Sequence, residues 1–140
     1  PNTDEAGVLS GMRIWNLGTS KDAARQIYNE TYQLKKEMFK NRIPPLPATT
    51  ALAGREKGGE GGFKLAVLVK GGHLTGEPTD VLYNENGFAE FSSKRINATK
   101  HGTGCVLSSA LAAGLANGKD LSSAIAEAKK FVENYIRAGS

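Results

Sequence analysis

The sequence predicts an α/β layer fold, and three observations predict it: a short apolar run at 64–69 bounded by glycines, a hairpin signal across 81–91, and two helical patterns that close the chain. Helical and strand patterns mixed along 140 residues fit layers packed around one modest core. Hydrophobic residues at 39% and charged residues at 23% place the chain among ordinary globular proteins, away from disordered or fibrous classes.

The elements follow in order. Asp4 to Gly11 reads as a short helix ended by glycine. Thr19-Ser20-Lys21-Asp22 resembles a capping box with Asp in place of Glu, and predicts the start of a long amphipathic helix. Ala24, Ile27, Tyr28, Thr31, Leu34 and Met38 recur along it at helical spacing. Three prolines, Pro44, Pro45 and Pro47, then a charged glycine-rich run from Gly54 to Gly62, predict a flexible Pro/Gly-rich insertion over 41–63. Lys64 to Val69 is almost uninterruptedly apolar, the pattern of a strand buried on both faces in a parallel sheet. Val81-Leu82-Tyr83 and Phe88-Ala89-Glu90-Phe91 flank Asn84-Glu85-Asn86-Gly87, a hairpin with Asn86-Gly87 as its turn signal. A helix from about Gly104 to Ala116 ends at Asn117-Gly118. The last opens at Asp120 and presents Leu121, Ala124, Ile125, Ala128, Val132, Tyr135 and Ile136 on one face.

The segment with the clearest chemistry is Lys100-His101-Gly102-Thr103-Gly104-Cys105, which runs directly into a helix. Glycines let consecutive N–H groups turn outward, and a helix N-terminus favours anions, so the turn can hold a phosphoryl group. Thr103 adds a hydroxyl donor. Cys105 falls in the first turn, where a thiolate is favoured and can take a proton from a substrate hydroxyl. The same position also suits an inert cysteine opening a packed helix, and spacing alone weighs the two equally. Lys70 ends the apolar strand, where open α/β sheets bind ligands, and its point charge suits phosphate. A solvated strand-end lysine is the plainer reading. Asn2 and Glu5 form an N-x-x-E pair that either caps a helix or holds the water shell of Mg²⁺. His101 either orients the loop or touches a phosphate, or is an ordinary loop residue, which is the preferred reading; His73, after Gly71-Gly72, is open to the same two readings.

Together these segments resemble the ribokinase-like vitamin kinases, and among them the hydroxymethylpyrimidine/phosphomethylpyrimidine kinases of thiamine biosynthesis. The resemblance rests on Pro1-Asn2-Thr3-Asp4-Glu5-Ala6, on Val67 to His73, on Asp80-Val81-Leu82-Tyr83, on His101-Gly102-Thr103-Gly104-Cys105, and on the spacing from Leu121 to Val132. It covers nearly the whole chain except the 41–63 insertion. It implies the carboxyl-terminal portion of a three-layer α/β/α fold, a parallel strand plus a β-hairpin flanked by helices, with residues 1–140 forming part of one kinase domain. It implies Gly102, Thr103 and Gly104 as an anion hole and Cys105 as the base. Lys70, Gly72, Val106 and Lys129 would lie along ATP and its phosphates, and Asn2 and Glu5 would hold Mg²⁺ through water. ATP and Mg²⁺ are the implied cofactors, and a hydroxymethylpyrimidine or its phosphate the implied substrate. A pyridoxal kinase and a non-catalytic nucleotide-binding remnant are the alternatives.

Such kinases are about twice this length, so the resemblance implies that a first half is supplied by a separate chain or by an earlier segment of the same protein. The opening at Pro1, polar and acidic, reads as a fragment, a processed chain or one part of a split protein, without a signal-peptide pattern. A homo-oligomer is expected. The formal net charge is +4, but the basic residues are scattered with no aromatic-interleaved stripe, which argues against nucleic acid. No apolar stretch spans a membrane. The single cysteine excludes an intrachain disulfide and fits a reducing compartment, so the cytoplasm is expected.

Overall fold

The computed structural model describes residues 1–40, 65–98 and 100–138; the insertion predicted at 41–63 lies outside the described residues. Helix α1 (Thr3–Ser10) opens on a reciprocal capping box. The Asn2 side chain accepts from the Glu5 N–H at 2.8 Å, and the Glu5 carboxylate accepts from the Asn2 N–H at 2.9 Å. The helix ends at Gly11, whose φ of 65° is the left-handed conformation glycine adopts without strain. Helix α2 (Leu17–Lys40) starts earlier than the Thr19–Asp22 signal predicts. Asn16 is the cap. Its side chain accepts from the Thr19 N–H at 2.9 Å, and the Thr19 hydroxyl accepts from the Asn16 N–H at 3.2 Å, so Thr19 closes a box rather than opening one. Of the predicted apolar face, Ala24 is buried and Ile27, Tyr28 and Thr31 are half-buried, but Leu34 is exposed.

Strands β1 (Ala66–Val69), β2 (Thr79–Asn84) and β3 (Gly87–Ser92) form one sheet in the order β1-β2-β3. The predicted hairpin is β2–β3, antiparallel, with Tyr83 opposite Phe88 and Asn84 opposite Gly87. Its two turn residues are Glu85 and Asn86, one position before the Asn-Gly signal, and Gly87 at φ 100° opens the return strand. The expectation of a parallel strand at 64–69 is corrected along its ladder: β1 pairs antiparallel with β2, with Val69 opposite Val81. Parallel pairing occurs just beyond β1, as a bridge between Asn2 and Lys70, where the Lys70 N–H donates to the Pro1 carbonyl at 2.8 Å. An apolar run reports that both faces of a strand meet apolar neighbours; it says nothing about strand direction.

The core joins Ala6, Ala24, Val67, Val69 and Val81, with Ile14, Leu17, Ile27, Tyr28, Tyr83 and Phe88 packed against it. Ala24 on α2 lets that helix lie close to the sheet, while α1 packs on α2 and reaches the same core through Ala6. At its open end Tyr28 meets Tyr83 edge-on at 5.1 Å, and Tyr83 meets Phe88 at 4.5 Å. Helices α3 (Thr103–Ala116) and α4 (Leu121–Arg137) pack on each other and bury Leu107, Ala124, Ile125 and Ala128. Gly114 permits that approach: a side-chain carbon there would sit 3.2 Å from the Ala124 methyl. Asp120 caps α4 by accepting from the Ser123 N–H at 3.0 Å.

Candidate active site

A cavity of about 420 Å³ opens where the end of β1, the start of α3 and the face of α4 converge. Six of the residues singled out in the sequence line it: Asn2, Lys70, Gly72, Thr103, Gly104 and Lys129. They arrive from four separate segments, so the fold brings together what the chain spreads over more than a hundred positions.

The turn before α3 is compact. Gly102 caps the helix with φ 82°, and its carbonyl accepts the first helical bond, from the Val106 N–H at 2.9 Å. The left-handed angle explains glycine here. A glycine cap also has no side-chain acceptor, so no side chain caps the helix, and the early N–H groups of Thr103, Gly104 and Cys105 keep their donor capacity. Gly104 has a different reason to be glycine. A methyl at this position would lie 2.8 Å from the Lys70 ammonium, which rests against the first turn of α3. A point positive charge and a helix N-terminus thus face the same space, and both attract an anion.

Lys70 is held there from behind. Gly71, the next residue, lies so close to the Thr79 backbone that any side chain would collide with the Thr79 carbonyl. The Gly71 N–H donates to Asp80 Oδ1 at 2.9 Å, and Asp80 Oδ2 accepts from Lys129 Nζ at 2.7 Å. Both side chains of this pair are nearly buried. Gly72 begins a turn that Arg95 clamps, its guanidinium donating to the carbonyls of Gly72 at 3.2 Å, Gly76 at 2.7 Å, and Leu74. Lys100 donates to the Tyr135 carbonyl at 2.8 Å and lies over that ring, while the Tyr135 hydroxyl donates to the His101 carbonyl at 3.3 Å. The end of α4 is therefore tied to the turn that starts α3.

Three predicted side chains fall elsewhere. Cys105 is exposed on the first turn of α3 and, with Val106, lines the groove between α3 and α4 rather than the Lys70 cavity. Glu5 is exposed and engaged in the α1 cap. The Asn2–Glu5 pair is thus a cap first. Among the described residues no group of three or more His, Cys, Asp or Glu side chains could hold a metal ion directly. Mg²⁺ retains several waters and needs only one or two carboxylates, so the hard oxygen donors of Asn2 and Glu5 suit contact through water and not a dedicated cage. His73 pairs with Asp4 at 2.9 Å on the surface, and His101 is exposed.

Sequence reasoning gave no site role to Asp80, Lys100 or Tyr135, although it placed them on a strand, a turn and a helix face, and it missed Arg95 altogether. Asp80 left a signal, a lone carboxylate leading an apolar strand. Arg95 left none, because its carbonyl partners exist only once the 72–76 turn is folded.

None of the helices among the described residues is long and apolar enough to cross a membrane. The family model for phosphomethylpyrimidine kinase matches residues 61–140. The chain is 34% identical over 139 residues to the hydroxymethylpyrimidine/phosphomethylpyrimidine kinase of Aquifex aeolicus, covering 98% of this chain and 42% of that protein. It is 47% identical over 139 residues to the thiamine biosynthesis bifunctional protein ThiED of Geobacter sulfurreducens, covering 98% of this chain and 22% of that one. Among solved structures, pyridoxal kinase from Staphylococcus aureus matches with a TM-score of 0.68 at 27% identity, over 97% of this chain and 40% of that one. Phosphomethylpyrimidine kinase from Clostridium difficile matches with a TM-score of 0.58 at 27% identity, over 97% of this chain and 41% of that one. The chain spans less than half the length of these relatives. Its α/β arrangement is that of the ribokinase-like kinases.

Proposed function

The chain belongs to the phosphomethylpyrimidine kinase family, and on that premise we propose that it is the carboxyl-terminal, phosphate-holding part of a ribokinase-like kinase domain. The reaction is ATP-dependent phosphorylation of 4-amino-5-hydroxymethyl-2-methylpyrimidine, of its monophosphate, or of both, in thiamine biosynthesis in the cytoplasm. One observation supports this above the others: the Lys70 ammonium lies against a glycine-capped helix N-terminus that no side chain caps.

Phosphoryl transfer asks the protein mainly for positioning and for charge stabilisation. The N–H groups of Thr103, Gly104 and Cys105 face the oxygens of the transferring phosphate, and Lys70 neutralises part of their charge. The substrate hydroxyl oxygen forms the new bond to phosphorus as the bond to ADP breaks. Cys105, one residue past the glycines, is the proposed acceptor of the hydroxyl proton; because it lines the α3–α4 groove beside the phosphate cavity, the substrate hydroxyl approaches from that side. Gly72 and Lys129 border the phosphate cavity, and Val106 borders the nucleotide from the α3–α4 groove. Asn2 and Glu5 would hold Mg²⁺ through water, and the ion would supply further charge neutralisation.

A second reading has its own observation. The pyridoxal kinase from Staphylococcus aureus matches with a higher TM-score, 0.68, than the phosphomethylpyrimidine kinase structure, 0.58. Phosphorylation assays with hydroxymethylpyrimidine, with pyridoxal and with neither separate the two, and transfer to neither marks a non-catalytic nucleotide binder. Cys105→Ala is expected to lower turnover at least a hundredfold, in line with loss of a general base, while nucleotide affinity changes less than twofold. Unchanged turnover in that variant removes the base assignment.

A further inference from the structure

The Asp80–Lys129 pair lines the cavity and is nearly buried. Its geometry suggests another task. Asp80 divides its two oxygens between two structural units. Oδ1 takes the Gly71 N–H, directly after Lys70, and Oδ2 takes the Lys129 ammonium, midway along α4. Helix α4 in turn carries α3 against it and, through Lys100 and Tyr135, the turn that starts α3. One carboxylate therefore ties the segment bearing Lys70 to the element bearing the helix N-terminus that Lys70 faces.

Both ends of this tie are narrow. Gly71 cannot shift toward β2, because its backbone already abuts Thr79, and Asp80 is the next residue on that strand. Lys129 flanks Ala128, one of the buried residues of the α3–α4 interface, so its backbone cannot slide without opening that interface. We propose that Asp80 and Lys129 are positioning residues, which set the separation between Lys70 and the first turn of α3, and that Lys129 serves Asp80 rather than the nucleotide. This inference rests on the proposed phosphate site and replaces the nucleotide-bordering role of Lys129 with an indirect one. A paired ammonium is neutralised locally, so of Lys70 and Lys129 only Lys70 keeps its full charge for an anion, with Lys94 also on the cavity wall.

A double-mutant cycle on the whole chain tests it. The variants are Asp80→Asn, which keeps an acceptor for Gly71 but loses the charge, Lys129→Met, which keeps length and apolar bulk, and both together. Two quantities are read on each: the folding equilibrium constant by denaturant titration, and the dissociation constant of the folded protein for AMP-PCP by calorimetry. Lys70→Met is the reference for loss of a direct contact. The expected result is that each single variant weakens AMP-PCP about tenfold, and that the double variant is no weaker than the weaker single. A direct Lys129–phosphate contact gives a different pattern and overturns the proposal: Lys129→Met weakens binding by the same factor in both backgrounds, while Asp80→Asn tightens it by freeing a cation. A purely structural pair also overturns it: folding constants fall, but the affinity of the folded protein stays within twofold of wild type. If the wild-type chain binds no AMP-PCP, the phosphate site itself fails and this inference fails with it. Binding by wild type with an unaffected cycle sinks the inference alone.

Discussion

The unit formed by α1, α2 and the sheet and the unit formed by α3 and α4 are built by different forces. In the first, Ala6, Ala24, Val67, Val69 and Val81 close a continuous apolar core, with aromatic residues sealing one end. The second buries mainly small residues, Ala124 and Ala128 beside Leu107 and Ile125, and its helices are held by close approach at Gly114. Between the units, beside apolar groups such as Leu82 on the Asp80 face of β2, the links include directional polar ones. Asp80 reaches Lys129, Lys70 rests against Gly104, and a cavity occupies the remaining space. Apolar burial is non-directional and tolerates small shifts, whereas a buried ion pair with both partners hydrogen-bonded holds only over a narrow range of geometry. The candidate site therefore lies at the directional joint and not in the core.

Substitutions on either side of that joint put the contrast to the test. Asp80→Ala leaves the Lys129 charge unpaired and the Gly71 N–H unsatisfied, and is expected to cost about 3–5 kcal/mol, read by chemical denaturation. A cost near zero would show that the joint is not structural at all. Val81→Ala removes buried methyl groups from the first unit and is expected to cost about 2 kcal/mol, with AMP-PCP affinity of the folded protein unchanged, because no polar link is touched. Gly104→Ala reverses that pattern. The added methyl displaces the flexible end of Lys70. AMP-PCP affinity should then fall about tenfold, which is about 1.4 kcal/mol. Folding stability should hold or rise, since alanine suits a helix better than glycine.

The smallest effect belongs to Asp120→Ala, at the far end of α4. Hydrogen bonds from the Ser123 side chain, and then from the Ser123 backbone, hold the Asp120 carboxyl below its ordinary range. A carboxyl with a lowered folded-state value stabilises above its unfolded value and loses that contribution as pH falls through the folded one. The stability gap between wild type and Asp120→Ala should therefore be full at pH 7 and narrow below about pH 4. Denaturation at pH 7 and pH 3 checks it, and a gap as wide at pH 3 as at pH 7 would remove the charge from the explanation.

The glycine turn before α3 was legible because its signals are local. Glycines at 102 and 104 ahead of an alanine-rich helix imply a turn and a helix start together, and both formed as expected. The hairpin was legible for the same reason, with its turn displaced by a single residue. The start of α2 was missed by three positions because Thr19 is not the cap but the residue that closes it: the carboxamide of Asn16 accepts from the Thr19 N–H, and the Thr19 hydroxyl accepts from the Asn16 N–H. The pairing direction of β1 was not legible, since apolarity does not encode a neighbour's polarity.

Element types, several of their caps and the set of candidate phosphate-holding groups can be read from the chain alone, because each depends on side chains within a few positions. Packing was needed to establish that Lys70 meets Gly104, that Lys129 is occupied by Asp80, and that Cys105 opens onto a different groove. Those relations join positions tens of residues apart, and long-range pairing between charges is set by where the packed elements come to rest.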